Sequence, residues 1–298
     1  MEEKKDFKEK FGEFHDKHYK KLLFVPLAII IFFAFYMFSF YSSNGDFITK
    51  DFSLTGGTSI TIQGSISPQD LENSLSGKLE ELDTRVIYDL QTRQQSALIV
   101  QTKTPTDEAK KILEDYLGYN LDNDNSSIEF ISSALGENFY SQLLLAVMFA
   151  FIFMGIVVFI IFRNFIPSMA VIISALADIF MTLAMINILG IKMSSAGIVA
   201  FLMLIGYSVD TDILLTNKVL KRHEDTLNTR IFGALKTGIT MTTTSLLAVV
   251  FALIVANSFS VILTQIFTVL TIGLCFDILN TWITNVSLIK WYVKKNEN

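Results

Sequence analysis

The chain has 298 residues, 51% of them hydrophobic and only 18% charged, with a mean hydropathy of +0.46. A wholly soluble protein is excluded in favour of a membrane protein, and a formal net charge of -5 argues against a nucleic-acid binder. The single cysteine, Cys275, rules out an intrachain disulfide or a cysteine-based zinc site. The strings GxxxxGK[ST], GxGxxG, HExxH and GxSxG are absent, so no sequence signature of an enzyme or of nucleotide binding is present. No cofactor is expected, and any energy source lies outside nucleotide hydrolysis.

Residues 1–21 place Phe7, Phe11, Phe14 and His18 at helical spacing, with Lys and Glu on the other faces. That pattern predicts a cytoplasmic amphipathic segment lying on membrane lipid. His15 and His18 lack a third ligand, so no metal site is read there. The uncharged run Leu22 to Tyr41 is long enough to cross a hydrocarbon core of roughly 30 Å. It is too long for a signal-peptide core, and Ser42-Ser43-Asn44-Gly45 offers no A-x-A-like cleavage site, so it reads as an uncleaved first span.

Residues 42–140 form a polar insertion. Strand-like alternation over Thr58 to Gln63 is followed by a helix from an Ser67 N-cap to Leu82, strands over Arg85 to Leu90 and Ala97 to Thr102, a helix from Thr104-Pro105 to Leu117, and a strand over Ser127 to Ser132. The order βαββαβ, with S/T-P-x-D opening both helices, predicts an α+β ferredoxin-like domain. It contains no His or Cys and reads as an interaction or gating domain rather than an active site. Asn125-Ser126-Ser127 is an acceptor sequon of little weight.

Five further spans follow, near Leu143 to Phe162, Ile166 to Leu189, Met193 to Thr216, Ile239 to Ala256 and Leu263 to Ile289. The fold class is thus a polytopic α-helical membrane protein of six transmembrane helices, with a five-helix bundle over 141–292 and a tail over 293–298. Seven Lys and Arg precede the first span, five lie between Lys218 and Lys236, three follow from Lys290, and the opposite short loops hold only Lys192. The positive-inside rule therefore puts both termini in the cytoplasm and the large domain outside.

Asp178, Asp210, Asp212 and Asp277 fall inside predicted spans. Each costs about 2.5 to 3.5 kcal/mol at the bilayer centre, so each needs a partner, a water-lined cavity or a proton. They are the candidate ion path, weighed against a purely structural role as hydrogen-bonded contacts between helices. Asp210 and Asp212 stand about 200° apart on a helix, so only one can face a given partner. Lys236, Thr240 and Thr243 or Thr244 form a polar stripe at the cytoplasmic end of the fifth span, placed to face Asp210.

Three segments carry a family resemblance. Asp51-Phe52-Ser53-Leu54-Thr55-Gly56-Gly57-Thr58 resembles the D-F-x-G-G-T-like entrance to the outer domain of SecF, the protein-export membrane subunit. Gly206-Tyr207-Ser208-Val209-Asp210 is similar to its G-Y-S-[IV]-[ND] motif, and Lys236-Thr237 through Thr242-Thr243-Thr244-Ser245-Leu246-Leu247 to its R-T-x-x-T-S-x-T-T-L-L segment. The resemblance covers almost the whole chain. It implies half of an RND-like, six-plus-six architecture, with SecD and a SecY-type translocon as partners and the proton-motive force promoting movement of an unfolded polypeptide across the cell membrane. Two departures stand out: Asp210-Thr211-Asp212 replaces the usual N-D, and Lys236 replaces Arg, a change from a planar fork to a point charge. Both look like the archaeal branch, which lacks the SecA ATPase. The competing readings are an RND-like small-molecule permease and a structural subunit that stabilises SecD or the translocon.

Overall fold

The computed structural model describes residues 7–89, 91–221 and 226–297; the side chains of Phe7, Phe11, Phe14 and His15 lie outside the described part. Six helices among the described residues are long and apolar enough to cross a membrane, one before the polar insertion and five after it. Helix α1 (Phe7–Leu22) leads through Leu23 into α2 (Phe24–Asn44), which ends at Gly45 in the left-handed conformation a C-cap requires. Phe33 and Met37 of α2 bury against Ala177, Met181 and Ala184 of α7 (Phe165–Ile188).

The insertion contains β1 (Gly57–Gln63), β2 (Asp83–Tyr88), β3 (Gln95–Thr102) and β4 (Ser126–Ile131), in the order β2-β3-β1-β4, with every neighbour pair antiparallel. One face carries Ile60, Ile62, Leu98 and Val100, packed on Leu71 and Leu75 of α4 (Pro68–Leu75) and on Ala109 and Leu113 of α5 (Thr106–Leu117). The period of two sends Ser59, Thr61, Ile99 and Gln101 to the opposite face, toward the bundle. Helix α4 ends seven residues before the expected Leu82. Ser67 does cap it, accepting from Asp70 N at 3.3 Å, but the second S/T-P-x-D stretch behaves differently. There Pro105 is the cap position with no side-chain bond, and Thr104 instead joins Thr58, Glu80 and Thr102 in a buried hydrogen-bond cluster.

The insertion is tied to the bundle by main chain. Asp51 N donates to Met193 O at 2.8 Å, Met193 N to Thr49 O at 2.7 Å, and Tyr88 N to Ser258 O at 2.9 Å. Asp51 caps the short α3 (Phe52–Thr55), its carboxylate accepting from Phe52 N at 2.8 Å. Gly56 has φ +80°, and a Cβ there would lie 2.5 Å from the backbone of Ser133; a Cβ on Gly136 would lie 2.8 Å from Gly56 N. Glycine at both positions lets the strand entrance sit directly on the start of α6 (Ser133–Phe162).

The helices outrun the spans expected from hydropathy. α6 begins ten residues before Leu143, α8 (Ser195–Lys221) continues past Thr216, and α9 (Leu227–Ala256) starts twelve residues before Ile239. The charge-rich segment from Lys218 to Lys236 is therefore largely helical, because Lys and Arg favour helix as readily as they mark loops. The final span is α10 (Val261–Leu279), a π-helical turn (Asn280–Asn285) and α11 (Val286–Glu297).

Candidate functional site

On α8, Ser208, Thr211, Asp212, Leu215 and Thr216 recur at the three-and-four spacing of one helix face, and all are buried. α7 brings Asp178 against that face and α10 brings Asp277; both are wholly inaccessible, as is Asp212. The π-helical turn supplies Asn280, Thr281 and Asn285, also with no exposed surface. A π turn gives each residue a smaller angular step than an α-helix, so a run of polar side chains can share one side.

These residues form one network. Ser208 Oγ donates to Asp178 Oδ2 at 2.5 Å, and Asn280 Nδ2 to Asp178 Oδ1 at 2.7 Å. Thr211 Oγ1 lies 3.2 Å from both oxygens of Asp277. Thr281 Oγ1 sits 2.8 Å from Asp212 Oδ1 and 3.2 Å from Asp277 Oδ1, bridging the two acids. Asn285 Nδ2 donates to Asp212 Oδ1 at 2.6 Å, and Ser174 Oγ approaches the same oxygen at 3.4 Å. Among the described residues no Lys, Arg or His pairs with any of the three carboxylates. Asp212 Oδ2 and Asn285 Oδ1 are buried acceptors without a hydrogen-bond partner. Three carboxylates this close in a buried core would repel one another strongly if all were ionised, and the partners that meet them are neutral hydroxyls and amides.

Asp210 lies elsewhere. The 200° step from Asp212 turns it to the exposed side of α8, together with Met203, Gly206 and Tyr207. Lys236, Thr240, Thr243 and Thr244 likewise form an exposed stripe on α9, with Thr240 and Thr244 hydroxyls bonded back to their own helix. Among the described residues no ion pair joins Asp210 to Lys236. Of the predicted ion-path residues, Asp178, Asp212 and Asp277 are thus brought together inside the bundle, and the others line its outside. The glycine-rich entrance around Asp51, Phe52, Gly56, Gly57 and Thr58 is far along the fold from both, where the inserted domain docks on the bundle. There Thr58 Oγ1 donates to Thr104 O at 2.9 Å.

Sequence reading missed Asn280, Thr281 and Asn285. Their signal was available: Asp277, Asn280, Thr281, Thr284 and Asn285 are spaced three, four, seven and eight residues apart in an otherwise apolar span. Two further features flank the network. At the end of the bundle away from the sheet Asp16 of α1 bonds Lys294 at 2.5 Å, Lys290 at 3.0 Å and Asn228 at 2.5 Å, tying α1 to α9 and α11. At the other end a cleft of about 400 Å³ separates the open sheet face from the starts of α8 and α10, lined by Thr61, Ile99, Glu129, Ser195 and Ile262 among others. Gln101, buried with an unpartnered Oε1, also lines it.

Six membrane helices, a docked antiparallel sheet and a buried carboxylate network define a multi-pass membrane protein with an ionisable core. The profile of the family described as Protein export membrane protein SecD/SecF, C-terminal, matches residues 111–295. The chain is 40% identical over 289 residues to the protein-export membrane protein SecF of Methanocaldococcus jannaschii, covering 93% of this chain and 96% of that one. It is 37% identical to the SecF of Methanothermobacter thermautotrophicus, with 93% and 94% covered. Among solved structures, the translocon-associated membrane protein SecDF from Thermus superposes with a TM-score of 0.71 at 18% identity; 93% of this chain spans 38% of that one. A super-membrane-facing form of SecDF gives a TM-score of 0.53. The chain belongs to the SecF family of protein-export membrane proteins.

Proposed function

We propose that the chain is a non-enzymatic accessory subunit of Sec protein export that couples inward proton movement to motion of its outer domain. The observation that carries this reading is the trio Asp178, Asp212 and Asp277, buried without a described counter-charge and with a vacant acceptor on Asp212. A charge crossing the membrane releases about 2.3 kcal/mol per 100 mV, enough to bias a helix rearrangement without any nucleotide. Asp178 on α7, Asp212 on α8 and Asp277 on α10 are held by hydroxyls and amides from neighbouring elements, so loading or unloading the network changes contacts between helices. α8 and α10 start beneath the outer domain, which gives that change a mechanical route outward.

In this reading residues 42–140 are external and ferredoxin-like, a topology supported by the βαββαβ order and the β2-β3-β1-β4 sheet, and both termini are cytoplasmic. The sequence divisions 1–21, 22–41, 141–292 and 293–298 are assigned the roles of membrane-surface segment, first span, bundle and tail. The exposed stripes containing Asp210 on α8 and Lys236 on α9 are assigned to the partner bundle. A charged residue facing lipid is costly, whereas facing a second polar bundle it is not. Open space beside Gly206 leaves room for close helix approach there. SecD is the partner that the SecDF likeness suggests, with a SecY-type translocon beyond it. The cleft beneath the sheet, mixed in polarity and carrying the unpartnered Gln101 Oε1, suits an unfolded polypeptide of varied sequence.

Gentle extraction of the full chain at native expression, followed by mass spectrometry of what co-purifies, tests the assignment. A six-span SecD-like chain, with or without translocon subunits, is expected. Recovery of self-associated copies alone, under conditions that preserve other membrane complexes, overturns it in favour of a stand-alone permease.

A further inference from the structure

A second cavity, of about 210 Å³, lies away from the carboxylates, between α6 and the outer ends of α7 and α8. Its lining includes Phe47, Leu144, Val147, Leu183 and Phe201, with Tyr140 at the mouth. The mouth is chemically distinct: Lys50 Nζ lies 2.6 Å from Asp46 and 4.0 Å from the centre of the Tyr140 ring, and Tyr140 OH donates to Asp46 at 3.0 Å. Lysine and tyrosine of this kind mark the level where a bilayer changes from hydrocarbon to headgroups.

From that level the cavity runs inward. Leu144 and Val147 are four and seven residues beyond Tyr140 on α6, so they lie about 6 and 10 Å deeper along the helix axis at 1.5 Å per residue. On the same stretch of α6, Leu145, Met148, Phe149 and Ile152 are exposed, a surface that meets lipid tails. An apolar cavity at this depth does not hold water. Its floor is fixed by Met193 and Phe201, both buried, so the space is a property of the fold rather than of one loose side chain.

We propose that this cavity binds the hydrocarbon chain of one outer-leaflet lipid. Asp46 and Lys50 neutralise each other at the mouth, so the site selects a chain and not a headgroup charge. A bound chain wedges α6 against α7 and α8 beside Phe47 and Ile48, the segment that leads into the outer domain.

The test is native mass spectrometry of the full-length chain in mild detergent, supplied in turn with dioleoyl phosphatidylcholine and dioleoyl phosphatidylglycerol. One retained lipid is expected at equal occupancy from either. Val147→Trp, which fills the cavity, is expected to lower occupancy at least tenfold, whereas Ile152→Trp on the exposed face of the same helix leaves it unchanged. Leu144→Asn places an amide in the apolar wall from an already exposed position and is expected to act like Val147→Trp without crowding the core. No retained lipid in the unmodified chain, retention that follows headgroup charge, or full retention by either cavity variant overturns the proposal. Recovery of a protein segment in place of lipid overturns it equally.

Discussion

Asn285 Nδ2 reaches Asp212 Oδ1 at 2.6 Å across the bundle, and it does so from a turn that has left α-helical geometry. The same turn brings Asn280 to Asp178 and Thr281 to Asp212 and Asp277, so three residues of one wide turn address three acids on three helices. An α-helix would already set Asn280 and Thr281 on the face of Asp277; the smaller step of the π turn brings Asn285, five residues past Asn280, closer to the same side. The π turn therefore joins the three acids to α11, whose Lys290 and Lys294 pair with Asp16 of α1.

Replacing Asn285 by Leu removes a donor to a buried carboxylate and should cost about 1–3 kcal/mol of stability. Asn285→Asp adds a fourth acid to the same site and should be tolerated only when protonated, giving a chain stable at acid pH and weakened near neutrality. Thermal unfolding of the two variants across pH checks both; equal melting at all pH values contradicts the assignment of Asn285 to the network.

Asp210 and Asp212 should part company in function. Asp212→Asn keeps the shape of the buried network and removes its charge, so the complex should assemble normally and lose its response to a proton gradient. Asp210→Asn lies on the exposed face of α8, so its effect should appear as weakened recovery of the partner chain. Quantitative co-purification of the two variants separates these outcomes. A loss of assembly confined to Asp212→Asn reverses the two roles.

The close approach at Gly56 and Gly136 makes a steric prediction. A methyl on Gly136 would lie 2.8 Å from Gly56 N and 2.9 Å from the Leu54 carbonyl carbon, both backbone atoms that cannot swing aside. Gly136→Ala should destabilise the docking of the inserted domain by about 1–3 kcal/mol, seen as faster proteolysis in the connector at residues 45–56. The open position Gly206, with nothing near its added Cβ, should accept alanine in the isolated chain without loss of stability.

Asp51 gives a pH dependence outside the spans. Burial pushes its carboxyl above the ordinary range, against the opposing pull of Arg85 and of its bond to Phe52 N. A pKa raised on folding favours the folded state below the unfolded value of about 3.9 and loses that contribution as pH rises through the folded value. Asn caps a helix as well as Asp does, so Asp51→Asn should raise the melting temperature near pH 7. The gain should shrink toward zero as the pH falls to about 4. A gain that grows on acidification contradicts the sign.

Much of this architecture is legible in the residues. Hydropathy locates six spans, and alternation from Thr58 to Gln63 with Ala97 to Thr102 locates the central strand pair. Helix ends are less legible, because α6 and α9 start in polar sequence held by packing of Gly136 on Leu54 and Gly56 and of Ile231 and Ala234 in the bundle, a tertiary effect that hydropathy windows do not sense. For the site, the 200° separation of Asp210 from Asp212 says that one acid faces in, but not which. Ser208, Thr211 and Thr216, in step with Asp212 and not with Asp210, point to the inner one. The wide turn at Asn280–Asn285 follows from packing against α7 and α8 and has no local sequence signal of its own. The Lys236 stripe is real as a stripe, yet its direction relative to the bundle depends on how α9 is rolled, which no periodicity fixes.

The most direct test of ion coupling through the buried acids is an export assay in membrane vesicles carrying the full Sec assembly, with and without an imposed proton gradient. The rate should rise with the gradient for the unmodified chain, and that rise should vanish for Asp212→Asn while partner recovery stays at the unmodified level. A gradient-driven rise of undiminished size in Asp212→Asn would contradict the account and leave the acids as packing contacts between helices.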